Sequence, residues 1–334
     1  PRCGSFDSIR SSHWPRPASE SSTGAELMAT PDKPAALVAL EQAFAAANGG
    51  GNGYGFVSAP MAISALLDLL DGGSHLVLSE GAHPDTYRMI ESVRRRSAGL
   101  KVSVADMADL VALEQAVTAD TRLSRADLAR VAAFARARDI LVLVDNSGLG
   151  HAARKPLADG CDAVFISAPP RAARGGLVTF SESAGFVEDR FAYLQNAYDA
   201  MPDPEQAEAL LLALQALPDE LAARATAASA LASFLTEWGA VTEIFHPGED
   251  CPDLSVTLDG RADDINAALG RLSRFRPGSV PGQPGSYWHY ACRNYEAVPE
   301  DIRLALGIPD GLVRFGIPAE DPADLIRDFQ TAFG

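Results

Sequence analysis

Lysine is the scarcest of the side chains that could carry chemistry in this sequence. Of the 28 lysine and arginine residues, only Lys33, Lys101 and Lys155 are lysines, and none follows position 155. The six histidines are dispersed, and neither a Walker loop, a G-x-S-x-G elbow nor an H-E-x-x-H pair occurs. The glycine-rich stretch at 49–55 follows a predicted helix and lacks the G-x-G-x-x-G spacing, which favours a flexible turn over a dinucleotide loop. Serine-nucleophile and metal-dependent hydrolysis therefore have no support.

The composition indicates a folded, acidic protein with a sizeable core. The 334 residues are 47% hydrophobic and include 44 acidic against 28 basic residues, a formal net charge of −16. Such a charge repels a phosphate backbone or an anionic lipid surface, so we expect neither nucleic acid nor a membrane as a partner. The apolar stretch at 62–70 is interrupted by Asp68 and is far shorter than the roughly 20 residues that a membrane span needs. Scattered cysteines without paired spacing favour reduced thiols and a cytoplasmic location.

Helical and strand patterns alternate along the chain after residue 27. Residues 1–27 are rich in Ser, Pro and Arg without an apolar period, which predicts a disordered tail or linker. The alternation predicts an α/β fold, with a large domain and a mostly parallel sheet over 28–215 and a smaller C-terminal α+β domain over 216–334. The predicted helices are 35–47, 61–70, 85–95, 110–117, 124–136, 204–238, 262–271 and 322–333. The predicted strands are 55–57, 76–78, 101–104, 140–145, 162–167, 176–180, 241–245, 254–258 and 312–315.

Four segments in the same order resemble the Cys/Met-metabolism family of pyridoxal phosphate (PLP) enzymes, the cystathionine γ-synthase and γ-lyase group. They begin APMAISALLDLL at 59, ILVLVDNSGLGHAARKPLADG at 140, ALPDELAARA at 216 and NYEAVPEDIRLALGIPDGLVRFGIPAEDPADLI at 294. The resemblance extends from about residue 28 to 333 and is specific only when the segments are taken together. It implies the fold type I architecture of PLP-dependent transferases.

The resemblance also implies roles for individual residues. Asp145 would hold the pyridinium nitrogen protonated, because the charged ring is what makes the cofactor an electron sink. Arg314 would grip the α-carboxylate of an amino acid or another small carboxylate through a bidentate fork. Met61 and Ser167 fall on the phosphate site, and His83 falls on the position of the ring-stacking tyrosine. Simpler interpretations stay open: a turn-forming aspartate, a surface arginine and a helix-entry histidine.

Several residues depart from the pattern that the resemblance implies. The S-x-T-K motif falls on residues 167–170, so Pro170 replaces the Schiff-base lysine and Pro169 replaces the phosphate-binding threonine. Pro60 stands where the phosphate loop carries glycine, and proline has no N–H to donate. The tyrosine and arginine that reach the neighbouring subunit's phosphate fall near residues 27–29, where this sequence has neither. PLP binding is therefore doubtful on sequence grounds.

A sheet strand also lacks a counterpart in this sequence. Between Leu123 and Ser124 the chain lacks about a dozen residues that form a strand and an E-x-P-x-N-P turn in the family. We therefore expect a shortened sheet in the large domain.

Three functions follow from these observations, in decreasing order of support. The first is a noncatalytic descendant that is retained for binding or for assembly, as a homodimer or with a related chain. The apolar helix face at Ala62, Leu66, Leu69 and Leu70 is the ground for expecting a homodimer. The second is a carbon–sulfur lyase or transferase of the transsulfuration type that holds PLP noncovalently. The third is a module that binds a different small anion or amino acid, for which Arg314 is the specific support.

Overall fold

The computed structural model describes most of the chain after residue 32. The described residues are 33–79, 84–105, 128–147, 154–169, 172, 174–246, 248, 251–278, 282–293, 296, 300–305 and 308–333. The predicted tail at 1–27 and the predicted helix at 110–117 lie outside them, as do His83 and Pro170. Within these ranges, no helix is both long enough and apolar enough to cross a membrane.

The first half of the chain alternates between helices and short strands, as predicted. Its elements are α1 (Ala35–Asn48), β1 (Gly53–Phe56), α2 (Ala59–Leu67), β2 (His75–Ser79), α3 (Pro84–Met89), β3 (Lys101–Ala105), α4 (Leu128–Arg136), β4 (Leu143–Asp145), β5 (Ala163–Ser167), β6 (Gly176–Phe180) and α5 (Glu188–Ala197). After α3 the helix continues through a π-helical turn at Ile90–Arg94 into Arg95–Ser97. A 3₁₀ helix at Glu182–Val187 leads into α5, which the sequence patterns did not predict.

The strands of this half form a four-stranded sheet and a separate pair. The four-stranded sheet has the order β1-β6-β5-β4, and β2 pairs with β3. The predicted parallel arrangement is present in β4–β5 and β2–β3, whereas β6 runs antiparallel to both of its neighbours. Residues 168–175, which join β5 to β6, are too few for the crossover of a dozen or more residues that parallel neighbours need. The sheet is therefore mixed.

Strand β4 lies at one edge of the described sheet. Among the described residues it pairs only with β5, and β2 pairs only with β3. Leu143 is 49% exposed and Leu141 37% exposed, which is unusual for the apolar strand of an α/β sheet. The expected shortened sheet would leave such an edge, and residues 106–127 lie outside the described part of the chain.

Helices cover both faces of the four-stranded sheet. On one face, Phe165 and Val178 pack with residues of α2 and α5, including Phe191. On the other, Leu177 packs with Phe44 of α1 and with the helix that follows α5. Adjacent residues of β6 thus point to opposite faces, as the period of two along a strand requires. Of the apolar residues that motivated a homodimer, Ala62 and Leu66 are buried in this core, at 0% and 8% exposed, whereas Leu69 and Leu70, beyond the end of α2, are half-buried.

The second half of the chain is a five-stranded sheet with helices. Its elements are α6 (Pro204–Thr236), β7 (Val241–Phe245), β8 (Asp253–Leu258), α7 (Ala262–Leu269), β9 (Arg276–Pro277), β10 (Ser286–His289), α8 (Tyr290–Arg293), α9 (Glu300–Ala305), β11 (Leu312–Gly316) and α10 (Pro322–Phe333). The strand order is β7-β8-β11-β10-β9, antiparallel except between β9 and β10. Phe275, Phe315 and Phe329 form an aromatic centre between the sheet and α10.

The long helix α6 belongs to both cores. It begins at the N-cap Asp203, whose Oδ1 accepts a hydrogen bond of 2.8 Å from the Gln206 N–H. Leu210 is buried in the first core, and Leu231 is buried in the second. The predicted boundary between residues 215 and 216 therefore lies inside one continuous helix, and the domain division itself stays a prediction.

Candidate functional site

The N-terminus of α2 carries the residues that the resemblance assigns to the phosphate. Ser58 is the N-cap, and its Oγ accepts a long hydrogen bond of 3.4 Å from the N–H of Met61. The N–H of Ala62 donates to the Ser58 carbonyl oxygen at 3.2 Å, and Pro60 between them has no N–H. A helix N-terminus binds an anion through its unpaired N–H groups, and here residues 60–62 offer none that is unpaired.

A glycine brings the sheet against this helix terminus. A side chain at Gly176 would place its Cβ 2.9 Å from Cβ of Ala62 and 3.1 Å from the Ser58 carbonyl oxygen, which is too close. Gly176, at the start of β6, is also the register partner of Ser167, at the end of β5. The structure therefore brings Met61 and Ser167 to the same edge of the first sheet, and their role at a phosphate stays a prediction.

Asp145 ends β4 and is exposed, with one carboxylate oxygen held by the next turn. Its Oδ1 accepts hydrogen bonds from the N–H of Ser147 at 3.0 Å and from its hydroxyl at 2.5 Å. The Ser147 Oγ in turn accepts a hydrogen bond of 2.8 Å from the N–H of Ser167. This chain of contacts orients Asp145 beside the end of β5. The sequence interpretation missed Ser147, although a serine two residues after an aspartate is typical of an Asx turn.

In the described part of the segment after β5, two backbone N–H groups are used within the fold. The N–H of Ala168 donates to the Gly175 carbonyl oxygen at 2.9 Å, and that of Ala172 donates to the Pro169 carbonyl oxygen at 2.9 Å. Pro169 is buried and supplies neither a hydroxyl nor an N–H. Within the described residues 167–169, the polar side chain is that of Ser167.

Arg314 lies in the second sheet, on β11, and is engaged by a carboxylate of the same chain. Its Nη2 is 2.6 Å from Oδ2 of Asp253. Burial works against the charged guanidinium, but the Asp253 carboxylate outweighs it and the pKa of Arg314 is raised. Asp253 also contacts Nη2 of Arg224 at 3.3 Å; burial lowers the pKa of Arg224, and Asp253 opposes that change. The sequence interpretation missed Asp253 and Arg224 as members of this cluster.

The three lysines lie in parts of the structure other than the end of β5, and position 170 itself is outside the described residues. Lys33 donates to Oε2 of the buried Glu41 at 2.7 Å. Lys101 is exposed at the start of β3, and Lys155 is exposed in the turns before β5. In the described ranges, no group of three or more histidine, cysteine, aspartate or glutamate side chains could hold a metal ion.

Comparison with known proteins agrees with the resemblance. The family described as "Cys/Met metabolism PLP-dependent enzyme" matches residues 32–334. The chain is 28% identical to a cystathionine beta-lyase of Coxiella burnetii, over 88% of this chain and 84% of that protein. It is also 28% identical to a cystathionine gamma-lyase of Bacillus subtilis, over 88% of this chain and 85% of the relative.

Solved structures agree in fold. The crystal structure of cystathionine gamma-lyase from Lactobacillus plantarum complexed with L-serine superposes with a TM-score of 0.79 and 25% identity, covering 90% of this chain and 86% of that chain. Cystathionine gamma synthase from Xanthomonas oryzae pv. oryzae, in complex with aminoacrylate and cysteine, gives the same TM-score of 0.79. The fold is therefore that of the fold type I enzymes, and the chain belongs to the Cys/Met-metabolism family of PLP-dependent enzymes.

Proposed function

We propose that this chain is a noncatalytic member of its family, retained for binding or for assembly. The observation that carries the proposal is the state of the N–H groups where a phosphate would sit. Pro60 has no N–H, and those of Met61 and Ala62 are used by Ser58. A phosphate dianion is held by several N–H and O–H donors at once, so this arrangement does not fit PLP.

The same conclusion follows from the other end of the predicted pocket. Ser167 and Ala168 use their N–H groups within the fold, and Pro169 supplies no hydroxyl. All three lysines lie elsewhere in the chain, so no covalent link to the cofactor can form at position 170. The chain keeps the scaffold and lacks the groups that bind the cofactor at its phosphate and its aldehyde.

One observation favours a second candidate function. Asp145 keeps an exposed carboxylate at the end of β4, oriented by Ser147, as a protonated pyridine nitrogen would require. A chain that held PLP noncovalently through Asp145 would be a carbon–sulfur lyase or transferase acting on an amino acid, in line with the names of its relatives. Its proton transfers would lack a positioned base, a loss of roughly 10²- to 10⁴-fold in rate.

The proposal includes a cytoplasmic homodimer or an assembly with a related chain. Ala62 and Leu66 cannot form that interface, because they are buried in the first core. Static light scattering over a wide concentration range tests the assembly. A mass of two chains supports the homodimer, and a persistent single-chain mass contradicts it.

The cofactor is tested on the purified, unaltered protein by absorption spectroscopy with and without added PLP. We expect no absorption band other than those of free PLP. We also expect no pyridoxyl adduct on any peptide after borohydride reduction. In thermal unfolding, a ligand at a hundredfold excess over its Kd would stabilise the fold by about 2.7 kcal/mol and raise the Tm by roughly 2 to 4 °C. We expect PLP to raise the Tm no more than an equally charged phosphate compound raises it.

Two variants separate the candidates. Asp145→Ala removes the carboxylate at the end of β4, and Asp189→Ala removes an exposed carboxylate from α5 as the matched control. A PLP-specific rise in Tm that Asp145→Ala abolishes and Asp189→Ala preserves would overturn the proposal and establish noncovalent PLP binding. The absence of any such rise in all three proteins supports it.

A further inference from the structure

The guanidinium of Arg314 has the chemistry of a carboxylate site. Its side chain is 24% exposed, so part of it is open to a ligand, while its Nε atom is buried and has no hydrogen-bond partner. A guanidinium presents a planar fork of donors that matches a carboxylate in two parallel hydrogen bonds. On chemistry alone, Arg314 would attract a carboxylate from solution.

A carboxylate of the chain itself already occupies this arginine. Oδ2 of Asp253 lies 2.6 Å from Nη2 of Arg314, and the Asp253 side chain is 7% exposed. Its other oxygen, Oδ1, faces Nη2 of Arg224 at 3.3 Å, and Arg224 is itself fixed by a bond of 2.7 Å from Nε to the Ile317 carbonyl oxygen. Asp253 is thus held by two guanidinium groups, and turning it away from Arg314 would strain both contacts.

The backbone leaves little room for a second carboxylate beside the first. Gly282 has a φ of +79°, in the left-handed region, and a Cβ added there would collide with Oδ2 of Asp253. The same atom would lie 3.0 Å from Nη2 of Arg314. Because the chain packs directly against the ion pair on this side, a ligand carboxylate that uses Nη2 of Arg314 would have to displace Asp253.

We infer that Asp253 is an internal carboxylate that occupies Arg314 and excludes external carboxylates from it. The inference rests on the proposed function, in which the family's pocket persists without its chemistry. Asp253 is then a specificity-determining residue, since it decides whether Arg314 accepts the carboxylate of an amino acid. Removing its charge should open that site.

The test measures binding of L-serine by isothermal titration calorimetry, without PLP. Asp253→Asn keeps the shape of the side chain and removes its charge. The double variant Asp253→Asn/Arg224→Gln also removes one guanidinium, which restores the net charge of the cluster and protects the fold. The matched control is Asp310→Asn, which breaks the ion pair with Arg303 in the same half of the chain.

We expect both Asp253 variants to bind L-serine at least about tenfold more tightly than the unaltered protein, a difference of about 1.4 kcal/mol in binding free energy. Asp310→Asn should bind like the unaltered protein, and adding Arg314→Gln to the double variant should remove the gain. Folded Asp253 variants that bind no more tightly than the unaltered protein would overturn the inference.

A comparison without any Asp253 variant covers the case in which neither of them folds. The unaltered protein and Arg314→Lys should then bind L-serine equally weakly. In the unaltered protein Asp253 occupies the guanidinium, and the variant has no guanidinium at this position. Binding to the unaltered protein that is about tenfold tighter than to Arg314→Lys would overturn the inference. Since the measurement involves no cofactor, its failure would leave the proposed loss of PLP binding standing, and the absorption test would decide that separately.

Discussion

Restoring the phosphate donors should restore affinity for PLP. The perturbation is the triple variant Pro60→Gly/Pro169→Thr/Pro170→Lys, which returns an N–H to the first turn of α2, a hydroxyl to the turn after β5 and a lysine to position 170. The substitutions leave the hydrogen bond from Met61 N–H to Ser58 Oγ in place, so the expected gain comes from the restored groups alone.

The size of the effect follows from the number of donors regained. A hydrogen bond to a charged group contributes about 1.5–3 kcal/mol, so the N–H at position 60 and the hydroxyl at position 169 together contribute roughly 3–6 kcal/mol. At about 1.4 kcal/mol per factor of ten, PLP should bind roughly 10²- to 10⁴-fold more tightly than it binds the unaltered protein. Pro170→Lys alone should give no such gain, because both phosphate donors would still be missing.

The assay is a spectroscopic titration with PLP, followed by borohydride reduction and peptide mapping. Pro322→Gly is the matched control, since it returns an N–H to the first turn of α10, in the second half of the chain. We expect tight binding and a pyridoxyl adduct at position 170 in the triple variant only. If the unaltered protein binds PLP within about tenfold of the triple variant, the prolines are not the cause of weak binding and the reasoning is refuted.

Three further predictions concern stability and reactivity. Burial lowers the pKa of His289 below its ordinary value of 6.5, so near pH 6.5 this histidine binds more protons in the unfolded chain than in the folded one. The free energy of unfolding should therefore fall as the pH drops through about 6.5, and in urea titrations His289→Gln should show a weaker dependence on pH. Burial raises the pKa of Cys161 to about 12, so iodoacetamide should label it at pH 8, as read by peptide mass mapping, only after unfolding. Phe329 is fully buried and Leu212 is 66% exposed, so Phe329→Ala should lower the free energy of unfolding by about 3–5 kcal/mol and Leu212→Ala by about 0.5 or less in urea unfolding.

The elements predicted best from sequence are those whose own apolar pattern indicates which residues are buried. Strand β6 begins and ends at Gly176 and Phe180, as predicted, because a continuous apolar run fits a sheet that is covered on both faces. The helix at Pro322–Phe333 was also predicted with its observed bounds, since its apolar residues recur at helical spacing.

The elements missed are those whose burial depends on neighbours. Strand β10 has the sequence SYWH, which has no apolar alternation, yet all four residues are buried because β11 pairs with it along its length. Helix α5 carries charged residues in its first turn and exposes Tyr193, so its apolar period is weak. Tertiary contacts determine both elements more than local propensity does.

For the candidate site, sequence patterns located positions but not partners. The resemblance placed Asp145 and Ser167 at strand ends, and the structure joins them through Ser147. The contact between Arg314 and Asp253 depends on the register of β8 against β11, in which Asp253 faces Gly316 and so lies diagonally across from Arg314. A shift of one residue in that register would separate the two charges, and no short-range pattern fixes it.

The continuity of α6 constrains how the two halves of the molecule can move. With 33 residues the helix is about 50 Å long, and its two ends are packed into different cores. A rotation of one sheet against the other must therefore bend this helix rather than unfold a linker. Pro218 lies inside it and cannot donate the hydrogen bond to the Leu214 carbonyl oxygen, so the resistance to bending is lowest there. We therefore expect any bending between the two halves to be centred on Pro218.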